Sequence, residues 1–357
     1  MPVKKVIILL IITLIWGVAP EVVASGERTV IDMEGRTVHL ETNLERILVI
    51  GSALRLYTYI AGTEGLVGVE RAQQNVNSGR PYIIAYPELA NLPIVGEGHP
   101  HDPDPELIVQ VNPQVIIAGD IMDRKSLELL ENKTGIPVVM TRCGSSPVFD
   151  ETTYTAIEVI GQVIGKEDRV EELIAYLDSC EAELWQLTKD IPPEEKPSVY
   201  MGGVSWKGTH GIESTQGLSA LMQAINARNV ADELGQGHLM IDKEKLVQWD
   251  PDIIIIDANG LPNVQDDYQR NPHFYQYLTA VQTNQVYSQL PYTSYYSNVE
   301  TALADIYYIG KILYPHQFRN IDPVAKADEI YTFMLGQPLY GKMAKQFGGF
   351  RPIRLGE

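Results

Sequence analysis

The chain has 357 residues, 45% of them apolar and 21% charged, the composition of a folded globular protein of about two domains. Its 46 acidic against 28 basic residues, a net charge of −18, argue against a nucleic-acid binder, because no basic excess is present to neutralise phosphates. Two cysteines exclude a disulfide-stapled scaffold, a thiolate zinc ribbon and an iron–sulfur protein.

The N-terminus reads as an address. Lys4 and Lys5 precede an apolar run from Val6 to Ala19, and small residues follow at Val22-Val23-Ala24-Ser25. This is the pattern of a secretory signal peptide over residues 1–24, with cleavage expected after Ala24 or, as the neighbouring choice, Ser25. The alternative is a retained membrane anchor, for which the run is shorter than the roughly 20 residues that span a bilayer. No cysteine lies nearby, so no lipid anchor is expected, and the mature protein is expected to be soluble and periplasmic or otherwise extracytoplasmic. Cys143 and Cys180 then lie where disulfides can form; a bridge and two separate buried thiols are both open.

Apolar β-branched runs recur at residues 47–50, 115–118, 137–140, 198–201, 253–256 and 285–287. Runs without alternation predict strands buried on both faces of parallel sheets. Helical patterns lie between them, for example over 126–134 and 218–226, which makes the chain α/β. An internal repeat divides it. Residues 104–117 (DPELIVQVNPQVII) align without gaps on 242–255 (DKEKLVQWDPDIII), sharing Asp, Glu, Val, Gln, Pro and the closing Ile-Ile. Each copy predicts a short helix capped by Asp, a Pro-containing turn and a buried strand. Between the copies, 154–190 is amphipathic, with Gly165-Lys166-Glu167-Asp168 placed to bend or interrupt it, and ends at Ile191-Pro192-Pro193. The predicted division is an N-terminal lobe over 25–152, a linking helix over 153–191 and a C-terminal lobe with an extension over 192–357. The basic stretch Gly341–Arg354 reads as a solvated tail or as a membrane or permease contact.

An ordered set of segments carries a family resemblance. Glu45-Arg46-Ile47, Ala61-Gly62-Thr63-Glu64-Gly65-Leu66-Val67-Gly68, Tyr86-Pro87-Glu88-Leu89, Leu92-Pro93-Ile94-Val95-Gly96 and Asn112-Pro113-Gln114-Val115 stand in the first half. Gly217-Leu218, Asn229-Val230-Ala231-Asp232 and Asn284-Gln285-Val286-Tyr287 stand in the second. The order resembles the periplasmic binding proteins of ABC importers that take up ferric siderophores, haem and cobalamin. The resemblance implies two Rossmann-like lobes with parallel-rich sheets joined by one long backbone helix, with the ligand in the cleft between them. It also implies that Glu106 and Glu244, one per lobe, dock on arginines of an ABC permease dimer at the inner membrane. The protein is expected to act as a monomer with no intrinsic cofactor, its ligand a ferric chelate.

In such sheets ligands sit beyond the carboxyl ends of the strands. That points to the loops at 52–55, 97–101, 119–122, 142–145, 204–210, 257–259 and 290–296. Their candidate ligand-binding residues are Ser52, Arg55, His99, His101, Arg142, Trp206, Lys207, His210, Tyr292, Tyr295 and Tyr296. Aromatic rings offer stacking surface, and arginines pair with carboxylates or an anionic chelate. The resemblance adds His238, with Tyr292 or Tyr295, as candidate ligands completing the coordination of chelated iron. Cobalamin or another corrinoid, or haem, is the alternative ligand. A free transition-metal ion is a further reading, with Gly98-His99-Pro100-His101 as a direct ligand segment. A metal-dependent enzyme is the reading from another class; the chain has no nucleophile elbow, H-E-x-x-H, P-loop, C-x-x-C or dinucleotide fingerprint, and no catalysis is expected.

Overall fold

The computed structural model describes residues 26–356 apart from 76, 99–102, 121 and 145. The expected signal peptide lies outside the described residues, as do His99 and His101.

The first half opens with an antiparallel hairpin, β1 (Glu27–Ile31) and β2 (Thr37–Glu41). Asp32 holds its turn by accepting the N–H groups of Glu34 and Arg36 and pairing with the Arg36 guanidinium at 2.7 Å. Behind it β3 (Ile47–Gly51), β4 (Val115–Gly119) and β5 (Val138–Thr141) form a parallel sheet in that order. Every residue of these strands is buried, as the β-branched runs require. Leu48, Ile50 and Ile116 pack on one face with Ile108 and Leu127, while Ile47, Val49 and Ile117 enter the main core on the other.

The second half contains β6 (Ser198–Gly202), β7 (Ser214–Gly217), β8 (Arg228–Asn229), β9 (Gly237–Met240), β10 (Ile253–Asp257), β11 (Val286–Gln289) and β12 (Arg351–Pro352). Five of them make one sheet in the order β12-β11-β10-β6-β8, parallel except for β12. β7 and β9 pair separately as an antiparallel ribbon. The basic tail docks on the body: Phe350 stacks on Tyr308 at 4.3 Å, and β12 pairs with β11.

The expected single linking helix is two. Glu151–Ile164 ends at Gly165, which takes the left-handed φ of +69° that a side chain resists, and Glu167–Thr188 follows. The second runs for 22 residues, about 33 Å at 1.5 Å per residue. One hydrophobic core extends through both halves, uniting Leu54 and Tyr57, Leu173 and Leu177, and Leu303, Tyr307 and Tyr331. Helix Val299–Leu313 is buried along nearly its whole length within it.

The repeat holds in three dimensions. Helices Pro105–Val111 and Lys243–Trp249 are both seven residues long and are capped by Asp104 and Asp242, whose carboxylates accept first-turn N–H groups. Each ends in a left-handed residue, Asn112 or Asp250, and leads into β4 or β10.

The loops after β6 and β10 touch backbone to backbone, and only glycine permits it. A Cβ at Gly260 would lie 2.2 Å from the Gly203 carbonyl oxygen. Gly260→Ala is therefore expected to destabilise the protein by about 3 kcal/mol in urea unfolding. Gly341→Ala, in a helix with nothing within 4 Å of the added carbon, is the control and should hold or gain stability.

Candidate functional site

The carboxyl ends of β3 and β4 converge on helix Ala53–Ala61. Gly119 closes β4 so tightly on it that a Cβ there would meet the Ala53 nitrogen at 2.4 Å. Ser52 caps this end: its Oγ donates to Asp120 Oδ2 at 2.8 Å, and the Cys143 N–H donates to the same oxygen at 2.6 Å. The Cys143 thiol lies 3.2 Å from Ser52 Oγ, and burial pushes it up to about 11, so it stays protonated. Cys180 is buried in the core, and both cysteines are free, which resolves the disulfide question in favour of two separate thiols.

A cavity of about 530 Å³ opens where the two halves face each other. Ser146 and Pro147 wall it from the first half; Ser205, Trp206, Gln216, His238 and Tyr292 wall it from the second. Trp206 is 52% exposed, and its ring stacks on His238 at 5.6 Å, with the planes 14° apart. Lys207 lies over the outer face of Trp206 at 5.8 Å, and the His210 ring stands 5.7 Å from His238. His210 Nε2 must donate to the Trp206 carbonyl at 2.8 Å, since a carbonyl only accepts.

The tautomer of His238 follows from its partner. Ser214 Oγ gives its proton to the Val204 carbonyl at 2.6 Å, so at 2.8 Å it accepts from His238 Nε2. The Nδ1 lone pair of His238 is then left over. Burial first, and His210 second, lower the His238 pKa, which keeps the ring neutral at pH 7 and suited to bind a metal. Tyr292 donates to Gln216 Oε1 at 3.2 Å. Burial, with the charges of Asp257 and Asp305 behind it, pushes its phenol up, so it faces the cavity as a neutral hydroxyl.

The other candidates lie elsewhere. Arg55 is buried beneath the Tyr296 ring at 5.7 Å, and its Nε and Nη1 have no hydrogen-bond partner. Arg142 pairs with Glu34 of the hairpin turn. Tyr295 and Tyr296 reach across to the first half: Tyr295 lies under the Arg80 guanidinium at 5.3 Å, and Tyr296 donates to the Asp120 carbonyl at 3.3 Å. None of these four lines the cavity, and among the described residues no lysine or arginine does. Sequence reasoning missed Gln216, Gln223, Gln236 and Ser146, which supply its neutral hydrogen-bonding groups. Among the described residues, no three His, Cys, Asp or Glu side chains group to hold a metal ion.

Glu106 and Glu244 are exposed at matching positions of the repeated helices. Each borders a surface hollow with exposed apolar residues, Val109 (48%) beside Glu106 and Met240 (59%) beside Glu244. Neither has an ion-pair partner among the described residues.

Two α/β halves joined by long helices, with a polar cavity between them at the carboxyl ends of parallel strands, define a two-lobed ligand-binding protein. Residues 46–292 match the periplasmic binding protein family, and the chain belongs to it. It is similar to the molybdate-binding protein MolA of Haemophilus influenzae, 21% identical over 328 residues that cover 86% of this chain and 91% of MolA. The molybdate-bound MolA structure superposes with a TM-score of 0.66, covering 87% of this chain and 98% of that one at 18% identity. A periplasmic solute-binding protein of Veillonella parvula gives a TM-score of 0.71 at 20% identity, covering 90% and 97%. The Fe(3+)-citrate-binding protein YfmC of Bacillus subtilis is 24% identical over 186 residues, 52% of this chain and 56% of YfmC. The family's location is extracytoplasmic, and no helix among the described residues is long and apolar enough to cross a membrane.

Proposed function

We propose that this protein is the substrate-binding component of an ABC importer, exported by cleavage of residues 1–24 and not lipidated. It captures a compact metal chelate, a ferric siderophore or related iron complex, and hands it to a permease dimer through Glu106 and Glu244. The observation that carries the reading is the cavity wall: a stacked Trp206–His238 pair whose neutral imidazole keeps Nδ1 free, ringed by amides and hydroxyls. Such a wall offers stacking surface to a chelate, and one nitrogen to a metal whose other positions the chelator fills. The absence of basic residues from the described lining favours a chelate of low net charge. YfmC, named for a ferric citrate ligand, supports the iron reading. A second reading, a small oxyanion held by neutral donors, is favoured by MolA, which matches most of this chain.

Tryptophan fluorescence tests both. Saturable quenching by ferric chelates is expected, lost in Trp206→Phe and weakened at least about tenfold in His238→Ala. Quenching by molybdate alone would establish the oxyanion reading instead. A response to bare metal ions alone would favour free-metal binding and turn attention to His99, His101 and His238.

A further inference from the structure

Behind the cavity wall lies a cluster of buried polar side chains. Asp257 closes β10 and Gln289 closes β11, and the two are in-register partners on parallel strands, so their side chains leave the same face of the sheet. That face looks onto helix Val299–Leu313: Ile253 and Ile255, alternate residues before Asp257, share the core with Leu303 and Ile306 of the helix. Asp305 comes down from the helix, and its Oδ1 accepts the N–H of Leu290, the residue after Gln289, at 3.0 Å. All three side chains are at most 1% exposed.

Each acid uses one oxygen and leaves the other idle. Asp257 Oδ1 accepts from the Asn259 N–H at 2.8 Å. Asp257 Oδ2, Asp305 Oδ2 and both polar atoms of the Gln289 amide have no partner. Among the described residues no basic side chain acts on either acid: Asp257 feels the Asn259 and Ser205 N–H groups, and Asp305 feels the Leu290 N–H and the charge of Asp257. Two neighbouring buried carboxyl groups, with an idle amide beside them, must be neutralised by protons or by a bound cation.

We propose that Asp257, Asp305 and Gln289 form a site for one hard divalent cation, Ca²⁺ or Mg²⁺, that braces the cleft floor. Two carboxylate oxygens and an amide oxygen supply hard donors and two negative charges, with no imidazole or thiolate to select zinc or copper. The cluster needs only two acids, so it falls short of the three-residue grouping that a site of His, Cys, Asp and Glu alone would show. Its neighbours are the cavity's own wall: the Ser205 N–H bonds Asp257, and Tyr292 lies close to both acids. A bound cation would thus fix the loops after β6, β10 and β11 together, whichever ligand the cavity takes.

The test is thermal unfolding of the purified protein, stripped with EDTA, in excess chelator and in CaCl₂, MgCl₂ or MnCl₂, with calorimetry for stoichiometry. A Tm rise of roughly 5 °C at a hundredfold excess over Kd is expected, with one equivalent bound per chain. Asp257→Asn with Asp305→Asn should abolish both. Should that variant not fold, Gln289→Glu adds a third carboxylate to the cluster and should bind the cation at least about tenfold more tightly. A wild-type Tm that ignores all three cations overturns the proposal and leaves a protonated acid pair. So does a double variant that keeps the cation response, or a Gln289→Glu protein with unchanged affinity.

Discussion

Reversing both surface glutamates, Glu106→Lys with Glu244→Lys, is expected to abolish uptake in cells while ligand affinity in solution stays unchanged. The two residues occupy one position of a repeated helix–turn–strand unit, at the second residue of each seven-residue helix. As first-turn acids they gain a few tenths of a kcal/mol from the helix dipole, which explains one glutamate but not its coupling to a bordering apolar surface on both halves. Val109 and Met240 are exposed where a monomer gains nothing from exposing them. A central charge ringed by apolar contact is how an interface excludes water around an ion pair. Removing one partner of such a pair costs about 2–5 kcal/mol, and two sites on separate lobes add. Neither carboxylate holds an ion pair among the described residues, so folding should tolerate the change. Ligand uptake in whole cells and Kd by fluorescence decide it: transport that survives the double reversal, or an affinity that falls with it, refutes the docking role.

The sheets were legible because burial on both faces writes itself into sequence. All six β-branched runs became strands with ends shifted by no more than two residues. The elements that escaped notice are the half-buried or polar ones. β1 and β2 expose alternate residues over five positions, too few to show a period, and Ser214–Gly217 has no apolar run at all. That second omission concealed part of the site, because the β7–β9 ribbon carries Gln216 and His238 into the cavity wall. His238 was reached by resemblance; Gln216 had no signal. The surroundings of the arginines were hidden for a different reason. Their neighbours are remote in sequence, Glu34 for Arg142 and the Tyr296 ring for Arg55, so no local pattern could show that the one is ion-paired and the other buried. Gly165 was visible as a bend or a break, and its left-handed φ decides for the break, making the linking segment two helices.

The seam between the halves gives the second large effect: Glu300→Gln is expected to remove a loss of stability that the wild type suffers between pH 4.5 and about 7. Glu300 stands in the first turn of the buried helix Val299–Leu313, fully enclosed. Tyr59, from the other half of the molecule, donates its hydroxyl to Glu300 Oε2, and Oε1 has no partner. Burial raises the Glu300 carboxyl to about 7, against smaller opposing effects of the Tyr59 bond, a backbone N–H and the Arg55 charge. Tyr82 and Tyr331 also face it, and burial keeps both phenols protonated. The sign follows from proton counting. Between the unfolded pKa of 4.5 and about 7 the folded chain holds the Glu300 proton and the unfolded chain does not, so stability falls as pH rises through that window. Across it the wild type should lose on the order of 3 kcal/mol relative to Glu300→Gln, which carries no charge at any pH. Urea unfolding of both proteins from pH 4.5 to 8.5 reads this as a wild-type stability that falls relative to the variant with rising pH and then levels off. A difference constant across that range would show that Glu300 keeps one charge state throughout. Tyr59→Phe sharpens the reading: with its one hydrogen bond across the seam gone, the Glu300 carboxylate is harder to ionise, and the wild-type step should move to higher pH.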